Sequence, residues 1–491
     1  MRASPTSESP ATEARKWPVT VTVILGTVAV VLNATVVNVA IPPIMADFGM
    51  SQMAAQWLAT GFMAAMTATM LASARVMERF GQRRTFEISL WVFLAACVLA
   101  AASPSGGVMI AARLLQGATA GMIQPLALVL IFDVFPDRER GKALGLYGMG
   151  VVLAPALGPA VGGVLIDWLS WRAVYLPGIP FGLAALWGAR RYLVEHRSDA
   201  PLAFDWLGLL LLAVGLAALL LGLSMLAGTG GWALPGIVVG LALLAGFVWR
   251  AATAEAPLIQ LQVFAYPRFA LASLLAMAYG AGLYGSTYLV PLLMQGVQQF
   301  SATATGLAMM PAGLSLTVIF PLAGRLADRL PAHRLMLVGC AGFAFGMLGL
   351  AFSRPDTGFL ALVLWIAFGR MALGIMMPAL NIDGLRSLPA AHTQQGSGVI
   401  NFARQLGGAL GVNLLALLLE SRIGARLEGA VDLHRVYDRA GGGRDVISAL
   451  TKGFSETFMV LGLVFVLAMI AAGWMGYLHA KLRKDSAGLR R

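Results

Sequence analysis

Charge is what this chain lacks. Only 12% of its 491 residues are Asp, Glu, Lys or Arg, whereas a soluble globular domain carries roughly 25%. With 58% of the residues hydrophobic, a water-soluble fold is excluded. Cysteine is nearly absent. The two present, Cys97 and Cys340, fall in separate apolar runs, which argues against a structural disulfide, and no metal-ligand spacing occurs. No nucleophile, base or metal constellation points to an enzyme. Acids are missing from the depth of the apolar runs: Asp133, Asp167, Asp205, Asp383, Glu420 and Glu456 all lie near run ends.

What is present is a succession of about fourteen apolar stretches, each close to the roughly 20 residues that cross the hydrocarbon of a bilayer. The net charge of +12 would suit nucleic acid, but its distribution does not. Most of the 35 lysines and arginines fall in alternate loops and the tails, the positive-inside pattern. That pattern excludes a nucleic-acid partner and places both termini in the cytoplasm. The exception is an expected external loop, 421–452, with Arg422, Arg426, Arg435, Arg439 and Arg444; long loops translocate largely regardless of charge. Within it, 423–436 reads as an amphipathic helix or as a solvated loop. The polar start runs into an apolar stretch too long for a signal-peptide core, so the first stretch reads as a span.

Two short basic loops reveal an internal repeat. One, ASARVMERFGQRR, ends at Arg84; the other, AGRLADRLPAHR, ends at Arg334. Each places an acid among arginines after the second span of a half. GMIQP at 121–125 is echoed by GIMMP at 374–378. Parallel halves around a midplane site are a recurring transporter design. The expected organisation is a tail at 1–17, a six-helix bundle at 18–193, two linker helices at 194–267, a second six-helix bundle at 268–480 and a tail at 481–491.

Four motifs carry a resemblance over nearly the whole chain. The first span reads LNATVVNVAIP (32–42), the fourth RLLQG (113–117), the fifth APALGPAVGG (154–163) and the thirteenth NFARQLGG (401–408). Together these resemble the major facilitator superfamily, and within it the fourteen-span drug:proton antiporters of the EmrB/QacA type. The resemblance implies an all-α membrane protein with the major facilitator fold, fourteen transmembrane helices in two six-helix bundles plus two linker helices. It also implies secondary active efflux of lipophilic or amphipathic small molecules by alternating access. A proton gradient, not a cofactor, would supply the energy. The expected setting is a bacterial inner membrane, with the lipid bilayer and a small-molecule substrate as partners, and a periplasmic membrane-fusion protein as a further partner.

The resemblance assigns proton coupling to position 33, Arg113 and Gln116. The family has an aspartate where this chain has Asn33. A buried carboxylate loads and releases protons because burial raises its pKa; asparagine does not titrate. Two explanations stay open: the natural protein lacks this carboxylate, or the chain is a variant mimicking its protonated state. A uniporter without proton coupling is therefore an alternative, as is export of an anionic or lipid-like metabolite, since the deep charges, Arg113, Arg370 and Arg404, are all positive. A charge at bilayer depth is a functional candidate by default. A non-transporting receptor on the same fold is a distant alternative.

Polar and aromatic residues within spans are candidates to line a substrate cavity: Asn38, Gln56, Gln124, Tyr147, Tyr284, Tyr288, Arg370, Asn381, Arg404 and Gln405. Met63, Met66, Met376 and Met377 would add adaptable apolar surface. Candidate gate residues are Glu78, Gly81 and Arg84 in the first loop and Asp328 and Arg329 in the second. Each acid is expected to pair with an arginine of a neighbouring loop or to cap a helix N-terminus. Pro155, Gly158, Pro159, Gly162 and Gly163 form a bent, small-faced stretch that suits a hinge or seal.

Overall fold

Without water in the hydrocarbon, every backbone N–H and C=O must be satisfied within the chain, and uninterrupted helices do this. The computed structural model describes residues 10–50, 52–136, 139–196, 204–226, 231–300, 302–427 and 444–488. These form fourteen α-helices. They are α1 (Pro10–Phe48), α2 (Gln52–Phe80), α3 (Gln82–Ala101), α4 (Gly106–Val134), α5 (Arg140–Trp168), α6 (Gly178–Tyr192), α7 (Trp206–Met225) and α8 (Ala233–Thr253), followed by α9 (Pro267–Gly296), α10 (Ala302–Arg329), α11 (Ala332–Ala351), α12 (Phe359–Arg386), α13 (Thr393–Leu427) and α14 (Arg444–Gly488). Twelve of them are long and apolar enough to cross a membrane.

Two expected boundaries differ. At the end of the bundle expected at 18–193, the sixth apolar stretch is split into a 3-10 turn at Trp171–Tyr175 and a 15-residue α6. Ser170 caps the turn by accepting from the Arg172 N–H, and Pro177, which has no N–H to offer, precedes α6. The external loop expected at 421–452 is helical at both ends, because α13 runs on to Leu427 and α14 starts at Arg444. Arg426 and Glu456 pair across these two helix ends, joined by Arg422 at 3.4 Å from Glu456. The rest of that loop, and most of the helix considered at 423–436, lies outside the described residues.

The chain divides into two compact units, Met1–Ala203 and Phe204–Arg491. In the first, α1 packs on α4, α5 and α6, α2 on α4, and α3 on α4 and α6. The same six pairings recur eight helices later in the second: α9 packs on α12, α13 and α14, α10 on α12, and α11 on α12 and α14. The repeat glimpsed in two loops and one pentapeptide is thus a repeat of the whole packing scheme. The linker helices α7 and α8 pair with each other and belong to the second unit, where α7 touches α13. Asp205 caps α7 through the Gly208 N–H at 2.9 Å and pairs with Arg250 near the end of α8 at 2.6 Å, which pins the hairpin. Only 17% of the apolar window of α8 is buried, so most of its apolar surface is left to lipid.

Interior prolines, among them Pro125, Pro291, Pro311, Pro321 and Pro378, remove backbone donors that neighbouring groups make good in a membrane helix. Buried hydroxyls return their proton to the preceding turn, as Thr27 does to the Val23 carbonyl at 2.9 Å and Thr457 to Gly453 at 2.7 Å, so they cost little in hydrocarbon.

Close approach of α2 and α4 depends on glycine. A Cβ at Gly117 would run into the Phe62 carbonyl, and one at Gly121 into Met66 and Thr69. Gly117→Val is therefore expected to lower stability by about 1–3 kcal/mol through overpacking. Gly473→Ala, with nothing within 4 Å of the added methyl, is expected to leave the melting temperature unchanged. Thermal unfolding of the detergent-purified proteins measures both, and a Gly117→Val protein melting with the wild type would contradict this packing.

Candidate functional site

Arg113 is 1% exposed and sits on the second turn of α4, among α1, α2 and α3. A helical carbonyl keeps a second lone pair after its own ladder bond, and Leu58 of α2 uses it here: Arg113 Nε donates to the Leu58 oxygen at 2.8 Å. Arg113 Nη1 donates to Asn33 Oδ1 of α1 at 3.2 Å and to Gln116 Oε1 of its own helix at 3.0 Å. The Phe62 ring of α2 lies 4.4 Å from the guanidinium carbon, a cation–π contact. Because both amide oxygens face the guanidinium, both amide nitrogens face away. They point at Cys97 Sγ of α3, Gln116 at 3.5 Å and Asn33 at 3.8 Å.

The three residues assigned to proton coupling thus meet in one buried cluster drawn from the first four helices. The charge in it is held by carbonyl-type oxygens and a ring, with no carboxylate. A central arginine costs roughly 2.5–3.5 kcal/mol on insertion scales, and each charged hydrogen bond returns about 1.5–3 kcal/mol, so three such bonds are enough to keep it charged and in place.

The glycine-rich face of α5 packs on α1 one turn or less beyond Asn33. A Cβ at Gly158 would meet Thr35 of α1, and one at Gly162 would come 3.0 Å from the Val36 carbonyl, whereas Gly163 faces open space. Thr35 is two residues from Asn33, so the expected hinge stretch and the coupling position lie on the same helix, on different faces of it. The side chains of Pro155 and Pro159 lie outside the described residues.

The candidate cavity residues fall into separate groups. In the first unit, Gln124 and Tyr147 are buried, and Gln124 Nε2 reaches Met66 Sδ at 3.6 Å; the side chains of Asn38 and Gln56 lie outside the described residues. In the second, Tyr284 of α9 donates to Gln405 Oε1 of α13 at 3.2 Å, and Arg404 donates to Asn401 Oδ1 at 2.7 Å. Arg370 of α12 reaches α9, donating to the Leu283 carbonyl at 3.1 Å and to Thr287 Oγ1. Asn381 is buried on α12 and Tyr288 half-buried on α9.

The gate expectation needs correction in the first loop. Glu78 pairs with Arg75 at 2.8 Å, one turn back in its own helix, instead of with an arginine of another loop. The capping role falls to Glu195, which follows α6: its Oε2 accepts from the Arg84 N–H at 3.2 Å at the start of α3, and Gln82 N–H donates to the His196 carbonyl at 3.1 Å. Gly81 has φ +90°, a conformation L side chains rarely adopt, and the Glu195 carboxylate fills the place of its missing Cβ. The second loop turns differently. Pro331, with φ −58°, precedes α11, so no left-handed residue is needed; Asp328 is half-buried and Arg329 exposed in the last turn of α10.

Comparison with known proteins bears on the family and the fold. The family model described as Major Facilitator Superfamily matches residues 23–412. The puromycin resistance protein pur8 of Streptomyces alboniger is 34% identical over 411 residues, 82% of this chain and 81% of that one. The multidrug resistance protein B homolog of Mycobacterium tuberculosis (strain ATCC 25618 / H37Rv) is 29% identical over 488 residues, 94% and 90%. Among solved structures, the proton:xylose symporter XylE bound to 6-bromo-6-deoxy-D-glucose superposes with TM-score 0.66 at 15% identity, covering 94% of this chain and 95% of that one.

Arg113→Gln leaves the Asn33 and Gln116 amide oxygens buried without their charged donor. Each such orphan costs about 1–3 kcal/mol, so this variant is expected to melt clearly below the wild type. Arg113→Lys, a point charge without the planar fork, is expected to recover only part of the loss. Melting of all three proteins in one detergent checks this, and an unshifted Arg113→Gln transition would show that the guanidinium is not tied as described.

Proposed function

The chain belongs to the Major Facilitator Superfamily, and from that premise we propose that it is a proton-driven exporter of amphipathic small molecules, of the fourteen-span drug:proton antiporter type, working by alternating access. It is a multi-pass membrane transporter, not an enzyme. The observation that carries the alternating-access part of the proposal is the buried Asn33–Arg113–Gln116 cluster; the proton drive follows only from the resemblance of the motifs to the drug:proton antiporters. Its bonds run between helices of one six-helix repeat, so they hold that repeat rigid while it moves as a body. The resistance functions in the names of relatives at 29% and 34% identity support efflux as the direction. The charge pattern supports a bacterial plasma membrane with both termini in the cytoplasm.

A second reading, a uniporter, is favoured by one residue. Asn33 presents a single acceptor oxygen to Arg113, as a protonated aspartate would, and it holds that form at every pH. Proteoliposomes separate the two. An antiporter accumulates ethidium against its gradient when a pH gradient is imposed, and a protonophore abolishes this. Transport that stops at equal concentrations and ignores the protonophore makes the protein a uniporter, and the absence of saturable transport of cationic, anionic and uncharged amphiphiles alike removes both readings.

Asn33→Asp places a carboxylate 3.2 Å from the guanidinium. It is expected to raise the proton flux accompanying each substrate and to make transport pH-dependent. Simultaneous recording of internal pH and dye movement tests this. Unchanged flux would show that position 33 is not where protons bind.

A further inference from the structure

The second unit contains a buried arginine in the helix equivalent to α4, but it is held differently. In the register set by Pro125 and Pro378, Arg113 corresponds to position 366, since 113 + 253 = 366. Arg370 lies about one helical turn further on. Like Arg113, it reaches the first helix of its repeat. Unlike Arg113, it spends only two of the five N–H groups of a guanidinium, on the Leu283 carbonyl and Thr287 Oγ1. It is 9% exposed where Arg113 is 1%, and none of the aromatic rings of the described residues covers it as Phe62 covers Arg113.

Its surroundings offer donors. Gln405 Oε1 is taken by the Tyr284 hydroxyl, while Gln405 Nε2, on a residue 1% exposed, has no acceptor. Arg404 precedes it on α13, and its backbone lies against Gly280 of α9. Both arginines act electrostatically on the buried Tyr279. Arg370, Arg404 and Gln405 therefore converge on residues 279–287 of α9, a stretch of roughly 12 Å at the helical rise.

Neighbouring carboxylates of the unit are committed elsewhere: Asp383 to Arg268, Glu456 to Arg422 and Arg426. Glu420, further along α13, acts electrostatically on Tyr288 of α9, one residue beyond Thr287, so an acid lies near one end of this stretch. Among the described residues no ion pair includes Arg370. The vacant hydrogen-bonding capacity of Arg370 and Gln405 themselves is thus all N–H, beside the positive charge of Arg404.

We propose that Arg370, with Arg404 and Gln405, binds the carboxylate head group of an amphipathic acid, making an anionic amphiphile the preferred cargo. The inference rests on the reading of the chain as an exporter of amphipathic molecules and names the substrate class of that activity. Arg113 is structural in the first unit, and Arg370 recognises cargo in the second.

Full-length protein in proteoliposomes tests this with three probes: dansyl-undecanoate, its uncharged methyl ester and ethidium. The wild type is expected to transport the acid saturably, with a higher kcat/KM than the ester. Arg370→Gln is expected to lower the acid-to-ester ratio by about 10- to 100-fold, the worth of one charge-assisted contact, and Arg370→Lys to keep part of it. Gln405→Glu, nearly isosteric, places a carboxylate where the acid would bind and is expected to lower the ratio likewise; it carries the test if Arg370→Gln does not fold. An unchanged ratio in the variants that fold overturns the proposal. Wild-type transport of ethidium with neither acid nor ester also overturns it but leaves the export reading standing. Transport of none of the three overturns both.

Discussion

A guanidinium inside hydrocarbon must bring its own solvation, and much of the first unit is arranged around that demand. Arg113 obtains it from the Leu58 carbonyl, two side-chain amides and the Phe62 ring. To deliver these, α2 must come close enough to α4 for a backbone oxygen to be within reach, which requires the bare backbone of Gly117 against Phe62. In turn, α1 must present Asn33 at the same level, and the Gly158–Gly162 face of α5 clasps α1 just beyond it. Arg113, Gly117 and Asn33 are parts of one packing solution, so a change at any of them is felt by the others.

The second unit solves the same architectural problem with different chemistry. Its six helix pairings repeat those of the first, yet its buried arginine is shifted by a turn and draws on a carbonyl and a hydroxyl of α9. The repeat therefore preserves backbone geometry, which packing demands, while leaving the polar groups free to diverge. That freedom lets two equivalent helices carry a locked charge in one unit and an available one in the other.

Much of this was legible in the residues. Apolar runs of sufficient length have few alternatives to a spanning helix, so number and order of the helices followed. LNATVVNVAIP and RLLQG marked Asn33, Arg113 and Gln116, which proved to be bonded to one another. What was not legible depended on side-chain reach across helices. Cys97, Phe62 and the Leu58 carbonyl have no sequence signal, since an apolar residue or a main-chain oxygen looks the same at every turn. Glu195 stands in a polar stretch of the sequence, where nothing local tells a solvated acid from one that caps a helix more than a hundred residues away. The partner of Glu78 was misjudged because Arg75, at i−3, is a closer neighbour than any other loop. The 421–452 segment looked loop-like because its helix ends carry arginines, which pairing with Glu456 stabilises.

Asn33 sets the energetic character of the cluster. An aspartate there would add a second buried charge, whose desolvation is repaid only while it pairs with the arginine; protonation would then switch the pair between two states of different cost. Asparagine removes the switch while retaining the bond. The Arg113 cluster consequently has one state at all physiological pH values, and the first unit behaves as a constant body. Any free energy that drives the cycle of this protein must enter through groups outside that cluster. On the proposed reading, the unspent N–H groups of Arg370 and Gln405 in the second unit would link cargo to the cycle, because a bound anion there changes both the charge and the hydrogen bonding of the helices that hold it.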